Sequence, residues 1–84
     1  LGARKIGKYA FAIAESYIEQ TVLVDDTAIR DAQIRFWSDL RILAEPAGAA
    51  ALAALTSGAY RPDKGERVAI MVCGSNADPA TLAD

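Results

Sequence analysis

The sequence predicts an α/β fold with a parallel sheet flanked by helices. In the first half, apolar residues recur at the three- and four-residue steps of a helix. Two short apolar runs are typical of buried strands, and helix-start signals separate these segments. The predicted order is helix, strand, helix, helix, strand, helix. Because two strands do not make such a sheet alone, the chain of 84 residues is expected to be part of a larger domain.

The first half of the chain predicts two helices joined by a short strand. A helix is expected over 6–19, where the apolar residues follow helical spacing. The β-branched run 21–24 suits a buried strand. Asp25 and Asp26 then offer oxygens that can cap the next helix. The apolar face of that helix consists of Ile29, Ala32, Phe36, Leu40 and Leu43.

The second half begins with an alanine-rich helix. Pro46 fits the first turn of a helix, and Gly58 is expected to end it. The residues between them are nearly all small and apolar, so that backbones can approach this helix closely.

A polar turn over 61–66 then leads into a second predicted strand. The run 68–72 is continuously apolar, which is typical of a strand buried on both faces. Asp78 can cap a last helical turn that has Pro79 at its first position.

Composition and charge exclude several classes of protein. With 52% hydrophobic residues, a net charge of -2 and scattered basic residues, we expect a globular segment without a nucleic-acid partner. The apolar run 47–55 is much shorter than the roughly 20 residues that cross a bilayer, so no membrane partner is expected. The N-terminus has no signal-peptide pattern and no initiator Met, which suggests a start within a longer protein. The single cysteine, Cys73, favours a reduced, cytoplasmic setting.

The sequence contains no histidine. This removes the commonest general base, the commonest metal ligand and every Ser-His or Cys-His nucleophile pair. A zinc site would have to use one cysteine and carboxylates, so no metal site is expected.

Two segments offer candidate functional residues. Cys73 and Gly74 follow the second predicted strand, and ligands of open α/β sheets sit beyond the carboxyl ends of strands. From the residues alone, a buried structural cysteine before a tight turn is the favoured interpretation. Glu45 precedes the alanine-rich helix, where a simple helix cap is again the favoured interpretation. The functional alternative is a carboxylate beside a cofactor, with Gly48 allowing close packing.

The same two segments carry a family resemblance. The stretch 45–55, EPAGAAALAAL, and the stretch 65–79, GERVAIMVCGSNADP, resemble segments found late in serine/threonine dehydratases. In that family a strand ends in Ser/Cys-Gly-Gly-Asn near the C-terminus. The stretches 1–7 and 22–26 resemble the region that leads up to them, so the resemblance covers essentially the whole chain. The order and spacing of the motifs make it specific.

The resemblance implies a fold and a cofactor. The family resembles the tryptophan synthase β-subunit, with two α/β domains that hold pyridoxal 5'-phosphate (PLP) between them. Residues 1–84 would be the C-terminal part of the larger, PLP-binding domain, without a domain boundary of their own.

The resemblance also implies the site residues. Cys73 aligns with the Ser or Cys that faces the pyridine nitrogen of PLP, and Gly74 lets the ring lie close to the backbone. Glu45 aligns with a carboxylate on the loop that flanks the cofactor. Ser75 departs from the family's pattern, since it replaces the commoner glycine.

No catalytic residue is expected in the chain itself. In the family, the lysine to which PLP is attached and the glycine-rich phosphate loop belong to earlier parts of the polypeptide. Lys5, Lys8 and Lys64 match neither context.

The implied activity of the intact protein is that of an L-threonine or L-serine ammonia-lyase, which releases a 2-oxo acid and ammonia. The chain alone would be inactive. Its expected partners are the rest of its own polypeptide, an amino-acid substrate and further copies in a homo-oligomer. Serine racemisation or dehydration of a substituted serine on the same fold is one alternative. A non-catalytic α/β interaction module is the other.

Overall fold

A computed structural model describes residues 5–82 of the chain. Within them lie the helices α1 (Lys8–Tyr17), α2 (Asp26–Leu40) and α3 (Ala50–Thr56). Short 3-10 turns span Ala47–Ala49 and Pro79–Leu82. The predicted helical segments are therefore confirmed in their order, and each α-helix is somewhat shorter than its apolar pattern.

Neither predicted strand forms within residues 5–82. Leu23 in the first is 94% exposed and Met71 in the second is 77% exposed, while Ile70 is half-buried against the core. The expectation that 68–72 is buried on both faces is thus not met in the described chain. A parallel strand needs hydrogen-bonding neighbours on adjacent strands, and this part of the chain supplies none. The parallel sheet stays a prediction for the intact protein, with 68–72 as an interior strand.

Asp25 caps α2 as its position predicts. Its backbone is extended, and its side chain accepts a hydrogen bond of 2.7 Å from the backbone N–H of Ala28. One of the helix's unsatisfied N–H groups is thereby paired.

Removing this cap is expected to destabilise the intact protein measurably. Asp25→Ala should lower the free energy of unfolding by about 1 kcal/mol, whereas Asp25→Asn should preserve most of it. Asp39→Ala is the matched control, because a carboxylate in the last turn opposes the helix dipole and its removal should be neutral or slightly stabilising. Urea denaturation followed by circular dichroism measures the changes. Equal losses in the two alanine variants would contradict the capping role.

α2 ends at Leu40, whereas its apolar pattern extends to Leu43. Arg41 adopts the left-handed conformation at φ 56°. Its guanidinium donates to the backbone oxygens of Trp37 and Ser38, each at 2.8 Å, and lies 5.8 Å from the centre of the Trp37 ring. These bonds satisfy carbonyl groups of the last turn and offset the cost of the left-handed backbone.

The hydrophobic core lies between α2 and the alanine-rich segment. α2 contacts both α3 and the 3-10 turn that precedes it. The predicted apolar face is confirmed at three positions and not at Leu40, which is 63% exposed. Alanines on the opposing segment allow the backbones to approach closely. The buried apolar residues are Ile29, Ala32, Phe36, Ala44, Ala49 and Ala53.

α1 contributes no buried residue to this core. Its tyrosines Tyr9 and Tyr17 are more than 80% exposed, Ile13 is 60% exposed and Phe11 is 52% exposed. The apolar side chains of α1 therefore stay largely uncovered within residues 5–82.

The turns after α3 follow the sequence predictions. Gly58 ends α3 with φ +81°, a conformation that favours glycine. In the polar turn over 61–66, the Glu66 carboxylate accepts hydrogen bonds from the Tyr60 hydroxyl at 2.6 Å and from the Asp63 N–H at 2.8 Å. The bond with Tyr60 lowers the pKa of Glu66 and raises the pKa of Tyr60. Asp78 accepts from the N–H of Ala80 and caps the final 3-10 turn.

Candidate functional site

The two candidate segments meet in the structure. The backbone N–H of Glu45 donates a hydrogen bond of 2.9 Å to the carbonyl oxygen of Gly74. The Glu45 side chain also lies against Gly74, since a Cβ built on that glycine would collide with the Glu45 carboxylate. Glu45, Cys73 and Gly74, which the resemblance singled out, therefore form one cluster. Their proposed contacts with a cofactor remain predictions.

Gly48 lies at the base of this cluster. It is buried, and a Cβ built on it would overlap the carbonyl oxygen of Cys73 and lie 2.8 Å from its carbonyl carbon. The Gly74 oxygen would be 3.3 Å away. Gly48 thus packs closely against the Cys73–Gly74 backbone. Close packing beside a cofactor, which belongs to the functional alternative, stays a prediction.

The turn at Gly74 explains how Ser75 is accommodated. Gly74 has φ +75°, which favours glycine. Among the described residues other than glycine, only Arg41 has a positive φ. Because the left-handed position falls on Gly74, the serine that replaces the family's second glycine has an ordinary φ.

Cys73 is a free and exposed cysteine. The favoured interpretation from the residues alone, a buried structural cysteine, is therefore wrong for the described chain. The physical reason is the missing sheet, because no neighbouring strand in residues 5–82 covers the segment that leads to Cys73. Its thiol is open to a ligand or to another part of the protein.

Gln33 supports the cluster from α2 and was not among the residues predicted from the sequence. Its side chain is 7% exposed, and its amide nitrogen donates 2.9 Å to the carbonyl oxygen of Ala44, immediately before Glu45. A signal existed, since Gln33 lies four residues after Ile29 on the apolar face of a helix. A polar residue at such a position must find a partner or lose stability.

The chemistry available here is that of a carboxylate, a thiol and backbone amides. No group of three or more Cys, Asp or Glu within residues 5–82 is arranged to hold a metal ion. The helices in that part of the chain are also too short or too polar to cross a membrane.

The amino-acid sequence was compared with known proteins. Residues 1–74 match the family described as pyridoxal-phosphate dependent enzyme. The chain is 34% identical over 76 residues to phenylserine dehydratase of Ralstonia pickettii, covering 90% of this chain and 23% of the relative. It is 33% identical over 79 residues to the biosynthetic L-threonine dehydratase of Escherichia coli (strain K12), covering 93% of this chain and 15% of the relative. It is 28% identical over 81 residues to serine racemase of Oryza sativa subsp. indica, covering 92% of this chain and 24% of the relative.

The chain thus spans less than a quarter of the length of these relatives. No solved structure matches it. The family match nevertheless covers most of the chain and includes Glu45, Gly48, Cys73 and Gly74. The chain therefore belongs to the family of pyridoxal-phosphate dependent enzymes, which implies the tryptophan synthase β-like fold.

Proposed function

We propose that this chain is the C-terminal segment of the PLP-binding large domain of an L-threonine/L-serine dehydratase. The intact enzyme would be an ammonia-lyase that converts its substrate to a 2-oxo acid and ammonia. The observation that carries the proposal is the direct contact between the Glu45 loop and the Cys73–Gly74 turn. These are the two segments whose sequences resemble that family.

The residues of the cluster fit PLP, the cofactor of the family. The Cys73 thiol is exposed, and a thiol is a weak hydrogen-bond donor that can pair with an unprotonated pyridine nitrogen. Gly74 has no side chain of its own, so a flat ring can approach its backbone on the side that the Glu45 carboxylate does not occupy. Cys73 would hold the ring nitrogen, and the Glu45 carboxylate, which lies against Gly74, would flank the cofactor.

When bound, PLP supplies an electron-withdrawing ring that stabilises negative charge at the α-carbon of an amino acid. The part of Cys73 is to control the proton at the ring nitrogen. A neutral thiol cannot hold a proton there as a carboxylate would. The thiol would thereby keep the electron withdrawal of the bound ring weaker, which would suit elimination of a β-substituent.

The relatives support this class of reaction and leave two related reactions open. Dehydration of a substituted serine is favoured by the likeness to phenylserine dehydratase, and racemisation by the likeness to serine racemase. A coupled assay on the intact protein should separate them, with L-threonine, L-serine and L-phenylserine offered in turn. We expect 2-oxo acid and ammonia from L-threonine or L-serine. Formation of D-serine without 2-oxo acid would reject the dehydratase.

A non-catalytic module would be an isolated and well-folded unit of 84 residues. Against it stand the exposed apolar side chains of α1 and of the segment 68–72, which need a cover that residues 5–82 do not provide. The rest of the same polypeptide is the partner that we propose for them, together with a homo-oligomeric assembly. The free cysteine agrees with the proposed cytoplasmic setting.

The isolated chain is expected neither to attach PLP covalently nor to turn over substrate. Lys5, Lys8 and Lys64 are its lysines, and none lies in the context of the family's PLP-binding lysine. Purified chain is incubated with PLP, reduced with borohydride and analysed by mass spectrometry. We expect only substoichiometric labelling spread over several lysines. A stoichiometric adduct at one lysine would contradict this prediction.

A further inference from the structure

Gln33 is the buried polar side chain of the described residues, at 7% exposure. Its amide nitrogen donates to the carbonyl oxygen of Ala44 at 2.9 Å, and Ala44 is fully buried. Burying an amide without a partner costs free energy, so the bond both satisfies Gln33 and fixes the direction of the Ala44 carbonyl.

The Ala44 carbonyl and the Glu45 N–H belong to the same peptide unit. Peptide units are planar, and those of the described chain are trans, so the C=O and N–H groups point in opposite directions. Gln33 donates to the carbonyl group of this peptide unit on the α2 side. On the other side, the N–H group of the same unit, which belongs to Glu45, donates to the Gly74 carbonyl oxygen at 2.9 Å. A continuous chain of hydrogen bonds thus runs from α2 through one peptide to the turn that contains Gly74. The bond from Gln33 to Ala44 is buried, whereas Gly74 at the other end of the chain of bonds is exposed.

We infer that Gln33 is a positioning residue, which sets the orientation of the Cys73–Gly74 turn through the Ala44–Glu45 peptide. The inference rests on the proposed function only in assuming that this turn contacts PLP. Gly48 acts differently, since its missing side chain permits the approach of the turn without fixing its direction. Without the Gln33 bond, the peptide can rotate, and the Gly74 carbonyl loses an oriented donor.

The test compares Gln33→Leu with wild type in the intact protein. Leucine has a similar volume and cannot donate. We expect the dissociation constant for PLP, measured by fluorescence titration, to rise roughly tenfold, which corresponds to the loss of one buried hydrogen bond. In the absence of PLP, the Glu45 amide should exchange with deuterium at least about fivefold faster, as measured by mass spectrometry of short peptides. If the leucine variant does not fold, the unbranched Gln33→Met replaces it in both measurements.

Phe36→Leu is the matched control. Phe36 is buried on the same face of α2 and makes no hydrogen bond to Ala44, so this change should lower stability and leave the PLP dissociation constant within about twofold. An equal rise in both variants would show that Gln33 acts only through general stability, and the inference would be wrong. Unchanged PLP affinity together with unchanged Glu45 exchange in Gln33→Leu would also overturn it. If wild type itself bound no PLP, the proposed function would fail, and the exchange of the Glu45 amide alone would decide whether Gln33 orients the turn.

Discussion

Replacing Gly48 with alanine is expected to weaken PLP binding by the intact protein at least about 100-fold. The added Cβ would overlap the carbonyl oxygen of Cys73. The obstacle is backbone, which cannot rotate away as the end of a side chain can. Either the turn that contains Cys73 and Gly74 must move or the 3-10 turn at Gly48 must retreat, and both changes separate Cys73 and Gly74 from Glu45.

Gly7→Ala is the matched control for this change. A Cβ on Gly7 would meet nothing within 4 Å, and its φ of -68° suits any residue. That variant should bind PLP as wild type does and lose at most about 1 kcal/mol of stability. Both variants are titrated with PLP and followed by absorbance. If Gly48→Ala bound PLP as tightly as Gly7→Ala does, the contact between the two segments would have no part in the cofactor site.

The helices were predictable from the sequence because their causes are local. The cap at Asp25, the stop at Gly58 and the apolar spacing of α2 depend on residues within a few positions of one another. The early end of α2 was missed although its cause is also local, because the Arg41 side chain returns to Trp37 and Ser38 of its own helix. A basic residue near a helix C-terminus is a stop signal, but the apolar spacing that extends to Leu43 favoured a longer helix.

The strands could not be confirmed because their causes are not local. An apolar run such as 68–72 forms a strand only when neighbouring strands complete its hydrogen bonds. The described chain offers no such neighbour, and the run stays outside any sheet. The same absence explains why Cys73 is exposed, although an apolar strand before it suggested burial.

The candidate site was predicted at the residues of the two motifs. The residue that supports them, Gln33, was not predicted. Glu45, Cys73 and Gly74 were identified by the family resemblance, and the structure brings them together. Gln33 was not identified, because a glutamine in a helix is usually solvated. Its place four residues after Ile29 indicated the apolar face, but its hydrogen-bond partner depends on how α2 packs against the segment that contains Ala44.

Cys73 is expected to tolerate serine far better than aspartate in the intact enzyme. Cys73→Ser keeps a neutral donor of similar size, and kcat/KM for dehydration should fall by no more than about threefold. Cys73→Ala leaves the ring nitrogen of PLP without a partner and should cost about tenfold. Cys73→Asp would place a negative charge opposite the ring nitrogen and favour its protonated form, and we expect a loss of at least about 100-fold.

The decisive measurement is steady-state kinetics on the three variants at equal PLP occupancy, with occupancy determined by absorbance. Equal occupancy matters because a carboxylate beside Glu45 also adds like-charge repulsion, which could expel the cofactor instead of changing its chemistry. An aspartate variant that holds PLP normally but reacts slowly would show that the proton at the ring nitrogen governs the reaction. An aspartate variant as active as the serine variant would mean that Cys73 does not tune the cofactor. The structural role that the residues alone suggest for Cys73 would then be favoured for the intact enzyme, where neighbouring strands are expected to cover it.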